Sequence, residues 1–240
     1  MTDQTILVTI MHSNNETGTI QPIEEIANIC QRAQILFHTD ASQSIGKVPV
    51  DLKKLGVDFL TVAGHKLYAP KGVGALFIRE GIQIEPLIHG AGHEEGRRAG
   101  TENIILEVGL GKACEISTES LRNTTIKDLT DYFYKRLKEI FGEQVVLNGH
   151  PEKRLPNTLN VSFVGFNGHE VLNHLEETAA STGSACHSGL TSVSPVLQAM
   201  GVTPEVGRGA VRFSLGRYTT KEEIDSVISK LIKKKKTKGQ

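Results

Sequence analysis

Val57-Asp58-Phe59-Leu60-Thr61-Val62-Ala63-Gly64-His65-Lys66 decides the fold. Its apolar first part reads as a buried strand, and the Gly-His-Lys behind it reads as the turn at that strand's carboxyl end. Two earlier runs finish in the same manner. Residues 5–11 lead into His12-Ser13-Asn14-Asn15-Glu16-Thr17-Gly18, and residues 35–40 lead into Ala41-Ser42-Gln43. Between them, residues 22–33 carry apolar side chains at Ile23, Ile26, Ala27, Cys30 and Ala33. That spacing predicts a helix opened by Pro22, with Cys30 on its buried stripe. Strands alternating with helices imply an α/β fold with a largely parallel sheet. In such sheets ligands bind beyond the carboxyl ends of the strands. Three strand ends are therefore expected to deliver an amide (Asn15), a carboxylate (Asp40) and an amine (Lys66) to one rim.

Further along, residues 51–55 read as a short helix, and Pro70-Lys71-Gly72 turns the chain into a strand at 73–78. The strands are almost continuously apolar, the pattern of a sheet covered on both faces. His89-Gly90-Ala91-Gly92-His93-Glu94-Glu95-Gly96-Arg97-Arg98-Ala99-Gly100-Thr101 is too polar for core and too glycine-rich for helix, so it is expected to be a surface loop. A helix over 105–117 follows, with Cys114 as a packing residue. A boundary near 117–123 divides a partial large domain, 1–120, from a small α+β domain, 121–240. The small domain is expected to hold helices at 125–141, 169–176 and 195–200, and strands at 145–147, 159–164 and 210–215. It ends on a helix whose capping box is Thr220 with Glu223 and whose apolar face is Ile224, Val227, Ile228 and Leu231.

Charge is balanced, with 27 basic and 27 acidic residues among 240, so no global field points to nucleic acid or membrane. The tail Lys233-Lys234-Lys235-Lys236 reads as a solvated helix end. Three cysteines form no CxxC pair and no metal-ligand spacing, a sparse use that suits a reducing compartment. No signal-peptide pattern is present, and no apolar run approaches the roughly 20 residues that span a bilayer. The expectation is a soluble cytoplasmic protein with no metal, no nucleic-acid partner and no membrane partner.

A lysine in a crevice forms a Schiff base readily. Its best-known partner is pyridoxal 5′-phosphate, an electron sink that needs a carboxylate at its pyridine nitrogen. Asp40 supplies that carboxylate, Asn15 and Gln43 can hydrogen-bond the ring hydroxyl, and His65 can reach the phosphate. A second constellation is Ser181-Thr182-Gly183-Ser184-Ala185-Cys186-His187-Ser188-Gly189. It reads either as an exposed mobile loop, in which His187 favours the Cys186 thiolate, or as a tightly packed turn. The third is Arg212-Phe213-Ser214-Leu215-Gly216-Arg217. Alternation of Val211, Phe213 and Leu215 puts Arg212 on the opposite face of its strand, either to grip an α-carboxylate or to sit in a salt bridge.

Taken in order, Asn14-Asn15-Glu16-Thr17-Gly18, His38-Thr39-Asp40-Ala41-Ser42-Gln43, Gly64-His65-Lys66, Arg98-Ala99-Gly100-Thr101, Gly183-Ser184-Ala185-Cys186 and Arg212-Phe213-Ser214-Leu215-Gly216-Arg217 resemble the cysteine desulfurases of aminotransferase class V, the group that includes selenocysteine lyases. The resemblance covers nearly the whole chain. It implies a homodimeric fold-type I pyridoxal-phosphate enzyme that takes sulfur from L-cysteine, leaves alanine and passes a persulfide to an acceptor protein. Lys66 and Cys186 would be catalytic. Asp40, Gln43, Asn15 and His65 would hold the cofactor, Thr101 would reach the phosphate in the partner subunit, and Arg212, with Asn15, would bind substrate. Alternatives are a selenocysteine lyase, or a non-catalytic chain acting only by binding a partner. Family members often place a serine where this chain has Ala63. They also carry a long preceding segment with a phosphate-binding turn and a ring-stacking histidine, so the chain is expected to be the carboxyl-terminal part of such an enzyme, with sheet edges and apolar surface exposed.

Overall fold

The computed structural model describes residues 1–175, 177–183 and 193–238. The chain forms two compact units, Met1–His12 with Gln21–Arg122, and Ser13–Ile20 with Asn123–Gln240. A single cut near residue 120 misses one feature of this division, because the segment 13–20 belongs to the second unit.

In the first unit, β1 (Leu7–Met11), β2 (Leu36–Asp40), β3 (Phe59–Ala63) and β4 (Gly74–Ile78) form one sheet in that order. β1 with β2 and β2 with β3 are parallel, whereas β3 and β4 are antiparallel. Residues 64–73 are too few for a crossover, which takes about a dozen residues or more, so β4 returns beside β3. Helix α1 (Ile23–Arg32) buries Ile23, Ala27 and Cys30, while Glu24 and Glu25 in its first turn and Arg32 in its last complement its dipole. The short α2 (Leu52–Leu55) is capped by Asp51, whose Oδ1 accepts from the Lys53 N–H at 2.9 Å, and ends on Gly56 at φ 66°. These helices pack with Phe37, Val57 and Leu60 on one sheet face. The other face departs from the expectation of cover on both sides: Leu7, Met11, Leu36 and Leu76 are 45, 42, 39 and 49% exposed. Helix α3 (Ile104–Ser120) starts on Asn103, whose Oδ1 accepts from the Leu106 N–H, and sets Ala113 against Leu67 and Ala69.

The second unit is built on an antiparallel sheet in the order β5 (Val145–Leu147), β6 (Thr158–Phe163), β7 (Ala210–Ser214). Every residue of the central strand β6 is buried. Helix α4 (Thr125–Phe141) lays Phe133, Leu137 and Phe141 on the sheet, with Phe133 edge-on to Phe213 at 4.9 Å and Phe141 edge-on to Phe163 at 5.3 Å. Helix α5 (Gly168–Asn173) is shorter than its apolar pattern suggested, and α6 (Pro195–Ala199) falls where expected. A further turn, α7 (Pro204–Gly207), begins at Pro204. Helix α8 (Lys221–Lys238) closes the unit with Ile224, Ile228 and Leu231 buried. Its capping box forms in both directions: the Glu223 N–H donates to Thr220 Oγ1 at 3.3 Å, and the Thr220 N–H donates to Glu223 Oε2 at 2.9 Å.

Segment 13–20 is a strap on this second unit. Asn14 Oδ1 accepts from the Glu16 and Thr17 N–H groups at 2.9 and 2.8 Å, which folds the strap into a tight turn. Gly18, at φ 78°, completes it; a Cβ there would lie 3.1 Å from Thr158 Cβ.

Candidate functional site

In the first unit, four of the anticipated polar residues gather at the carboxyl ends of β2 and β3. Asp40 is the last residue of β2 and pairs in register with Thr61 of β3. Its Oδ1 accepts from the Ser42 N–H at 2.8 Å, which turns the chain so that Gln43 follows directly. β3 then ends at Ala63 and tightens into a 3-10 turn, Gly64–Leu67, that carries His65 and Lys66, both exposed. Glycine is required at 64, since a Cβ would sit 2.7 Å from the Val73 carbonyl oxygen of the returning chain. The parallel pairing of β2 and β3 thus aligns a carboxylate, an amide, an imidazole and a primary amine at one end of the sheet.

The neighbourhood of these residues is itself hydrogen-bonded. His12 is 5% exposed and bonds Ser44 Oγ through Nδ1 at 2.8 Å, and burial lowers its pKa. His38 spans the open sheet face between Thr9 Oγ1 (2.6 Å) and Thr61 Oγ1 (2.8 Å). Burial lowers its pKa, and Asp40 works against that shift. Lys47, which has no signal in the sequence beyond being one lysine in a loop, donates its Nζ to the Gln43 and Lys66 carbonyls at 2.9 and 3.3 Å. Burial, and then the charge of Lys66, push Lys47 down to about 8. Thr101 is exposed on the segment leading into α3, after a stretch where Arg97 pairs with Glu95 at 2.7 Å.

The second unit holds Asn15 and Arg212. Arg212 lies on β7 on the face opposite the buried Val211 and Phe213, as alternation requires. Its Nη1 donates to the Asn15 carbonyl at 2.9 Å, and its Nε is buried with no partner among the described residues. No carboxylate pairs with it among the described residues, so the salt-bridged reading does not hold there. The next two carbonyls of the strap are held in turn. Asn160 Nδ2 donates to Glu16 O at 3.0 Å, and Arg154 Nη2 donates to Thr17 O at 3.4 Å. Asn160 is fixed from behind by Asn148, whose Nδ2 also donates to Ser162 Oγ at 2.9 Å. Glu16 itself is 0% exposed and neither carboxyl oxygen has a partner among the described residues. A Cβ on Gly183 would lie 3.8 Å from Glu16 Oε1 and 3.6 Å from Ser194 Cβ. Gly183 and Ser194 flank the stretch that contains Cys186, and Cys186 lies outside the described residues. Among the described residues no group of three His, Cys, Asp or Glu is placed to hold a metal ion, and no helix is long and apolar enough to cross a membrane.

Residues 1–227 match the aminotransferase class-V family model. Cysteine desulfurase IscS of Dictyoglomus turgidum is 45% identical over 97% of this chain, and that of Methanosarcina thermophila is 49% identical over 94%. The chain spans 61 and 56% of the length of these two relatives. Among solved structures, a NifS-like protein superposes with a TM-score of 0.85 at 39% identity, covering 97% of this chain and 62% of that one. SspA in complex with cysteine superposes with a TM-score of 0.75 at 37% identity, covering 92 and 61%. These likenesses carry the fold-type I architecture with them, and this chain belongs to the aminotransferase class-V family.

Proposed function

We propose that this chain carries the lysine and the thiol of a pyridoxal-phosphate-dependent cysteine desulfurase, which takes sulfur from L-cysteine and leaves L-alanine and a persulfide on Cys186. The observation that carries this reading is Asp40 and Lys66 at the same end of neighbouring parallel strands. The desulfurase names of the relatives support the reaction, and the SspA structure with cysteine supports the substrate.

The donor set at the strand ends fits the cofactor: a primary amine for its aldehyde, a carboxylate for its ring nitrogen, an amide for its hydroxyl and an imidazole beside the amine. Bound there, pyridoxal phosphate supplies an electron sink for the substrate α-carbon. Lys66 Nζ would hold the cofactor at its aldehyde and would serve as the base that moves the substrate α-proton. Asp40 would hold a proton at the ring nitrogen. Gln43 would orient the ring hydroxyl, His65 the phosphate, and Asn15 the ring and substrate. Arg212 orients the substrate carboxylate with the guanidinium edge left over from its bond to Asn15. The Cys186 thiolate would attack the substrate sulfur, so that the S–S bond forms as the C–S bond breaks; the electron pair stays with the carbon fragment, which takes up a proton and leaves as alanine. Thr101 serves the phosphate site of a partner subunit in a homodimer, and the persulfide passes to an acceptor protein in the cytoplasm.

The test is reduction with borohydride after addition of pyridoxal phosphate, followed by peptide mapping. Label is expected on Lys66 and absent from that peptide in Lys66→Ala. Equal labelling of the two overturns the reading. With L-cysteine, Cys186→Ser keeps the label on Lys66 and loses cyanide-releasable sulfur, and alanine release from L-selenocysteine measures the lyase alternative.

A further inference from the structure

Lys47 sits in the loop after β2, four residues past Gln43, with its Nζ 2.9 Å from the Gln43 carbonyl and 3.3 Å from the Lys66 carbonyl. Those two acceptors belong to different strand-end turns, one after β2 and one after β3. A single ammonium bonded to both fixes the distance between the turns. The loop that carries it is held on several sides. The Lys47 N–H donates to Ser44 O at 3.0 Å, and Ser44 Oγ is bonded to the buried His12 at 2.8 Å. Gly46, at φ 74°, lies so close to α3 that a Cβ would meet Ser117 Oγ at 2.7 Å.

Lysine amines ordinarily stay in water because they are strongly hydrated. Here the amine is drawn inward beside a second lysine, and both burial and the Lys66 charge oppose its protonation. The bonds survive loss of that proton, since a neutral amine keeps two donors for its two carbonyls. An apolar side chain of similar length would fill the same space and provide neither bond.

We infer that Lys47 is a positioning residue whose amine ties the Gln43 turn to the Lys66 turn and so fixes the Gln43 amide and the Lys66 amine relative to each other. The inference rests on the proposed role of Lys66, but the clamp is measurable in the chain without cofactor. Lys47→Met should speed amide hydrogen exchange in both 42–48 and 64–68 by roughly tenfold, the scale set by losing a charge-assisted hydrogen bond. Lys47→Arg, which keeps donors, should recover part of the protection. Faster exchange in 42–48 alone, with 64–68 unchanged, overturns the clamp.

A second readout needs no variant at Lys47. Competitive acetylation of the folded chain should give Lys47 a midpoint near pH 8, rising when Lys66→Met removes the like charge. A midpoint in the ordinary lysine range places the amine in water and also overturns the clamp. Finally, the borohydride-trapped label on Lys66 should fall in Lys47→Met and recover in Lys47→Arg. If the exchange and acetylation results hold while the wild-type chain traps no cofactor on Lys66, the clamp stands and the proposed reaction fails.

Discussion

Asn160→Ala should cost the second unit about 2–3 kcal/mol. Asn160 is 1% exposed and bonds in two directions, donating to Glu16 O at 3.0 Å and accepting from Asn148 Nδ2 at 2.8 Å. Removing it leaves the Glu16 carbonyl without that donor inside the protein, a loss of about 1–3 kcal/mol for a buried unsatisfied group. Asn148 suffers less, because its Nδ2 keeps Ser162 Oγ at 2.9 Å. The small cavity adds roughly 1 kcal/mol or less. Because the two asparagines share a bond, their effects should not add, and Asn148→Ala with Asn160→Ala should cost less than the two separate losses combined. Urea unfolding followed by circular dichroism and tyrosine emission is suited to a chain with four tyrosines and no tryptophan. With m near 1–3 kcal/mol/M, the midpoint should fall by about 1 M or more at unchanged m. A shift worth less than about 0.5 kcal/mol would show that the strap carbonyls are not held by this network.

Phe133→Ala, at a side chain 2% exposed and edge-on to Phe213, should destabilise the second unit by about 3–5 kcal/mol in the same assay. Thr220→Ala removes one half of the α8 capping box and should cost about 1 kcal/mol, with Thr220→Ser recovering most of it. Lys47 should make stability depend on pH above neutrality. Burial and the Lys66 charge hold its folded pKa at about 8, below the ordinary lysine value of 10.5, so between those values the unfolded chain binds more protons and stability rises with pH. The wild type should therefore gain roughly 2 kcal/mol relative to Lys47→Met between pH 7.5 and 10, and a flat difference across that range would refute the burial of the amine.

Much of the first unit is legible from local pattern. The stripe through Ile23, Ala27 and Cys30 is buried as its spacing requires, and the strands before Asp40 and Gly64 end where polar turn residues begin. The direction of β4 needed a length argument that apolar runs do not contain, because a strand pattern reads the same in either sense. Leu7 and Leu76 show the matching limit: an apolar run reports what a strand can bury, not what this chain supplies to cover it. Lys66, Asp40 and Arg212 are found by position at strand ends or by alternation. Lys47, Asn160 and Arg154 escape such reading because their acceptors are backbone carbonyls, and any residue type offers one. Glu16 sits inside a recognisable motif, yet its burial depends on folding around it by β6 and the chain near Gly183.

The strap at 13–20 leaves the first unit after His12 and rejoins it at Gln21, so the second unit is discontinuous in sequence. The peptide 123–240 expressed alone would present Arg212 and Asn160 as donors whose strap acceptors were left on another molecule, while Arg154 would lose Thr17 O and keep Thr158 O. Synthesis runs in the opposite sense. The strap leaves the ribosome more than a hundred residues before the strands that hold it, and it waits, tethered at both ends to the first unit, for β6 and β7 to arrive. The two units therefore share one folding history and cannot be exchanged between proteins by a single crossover near residue 122.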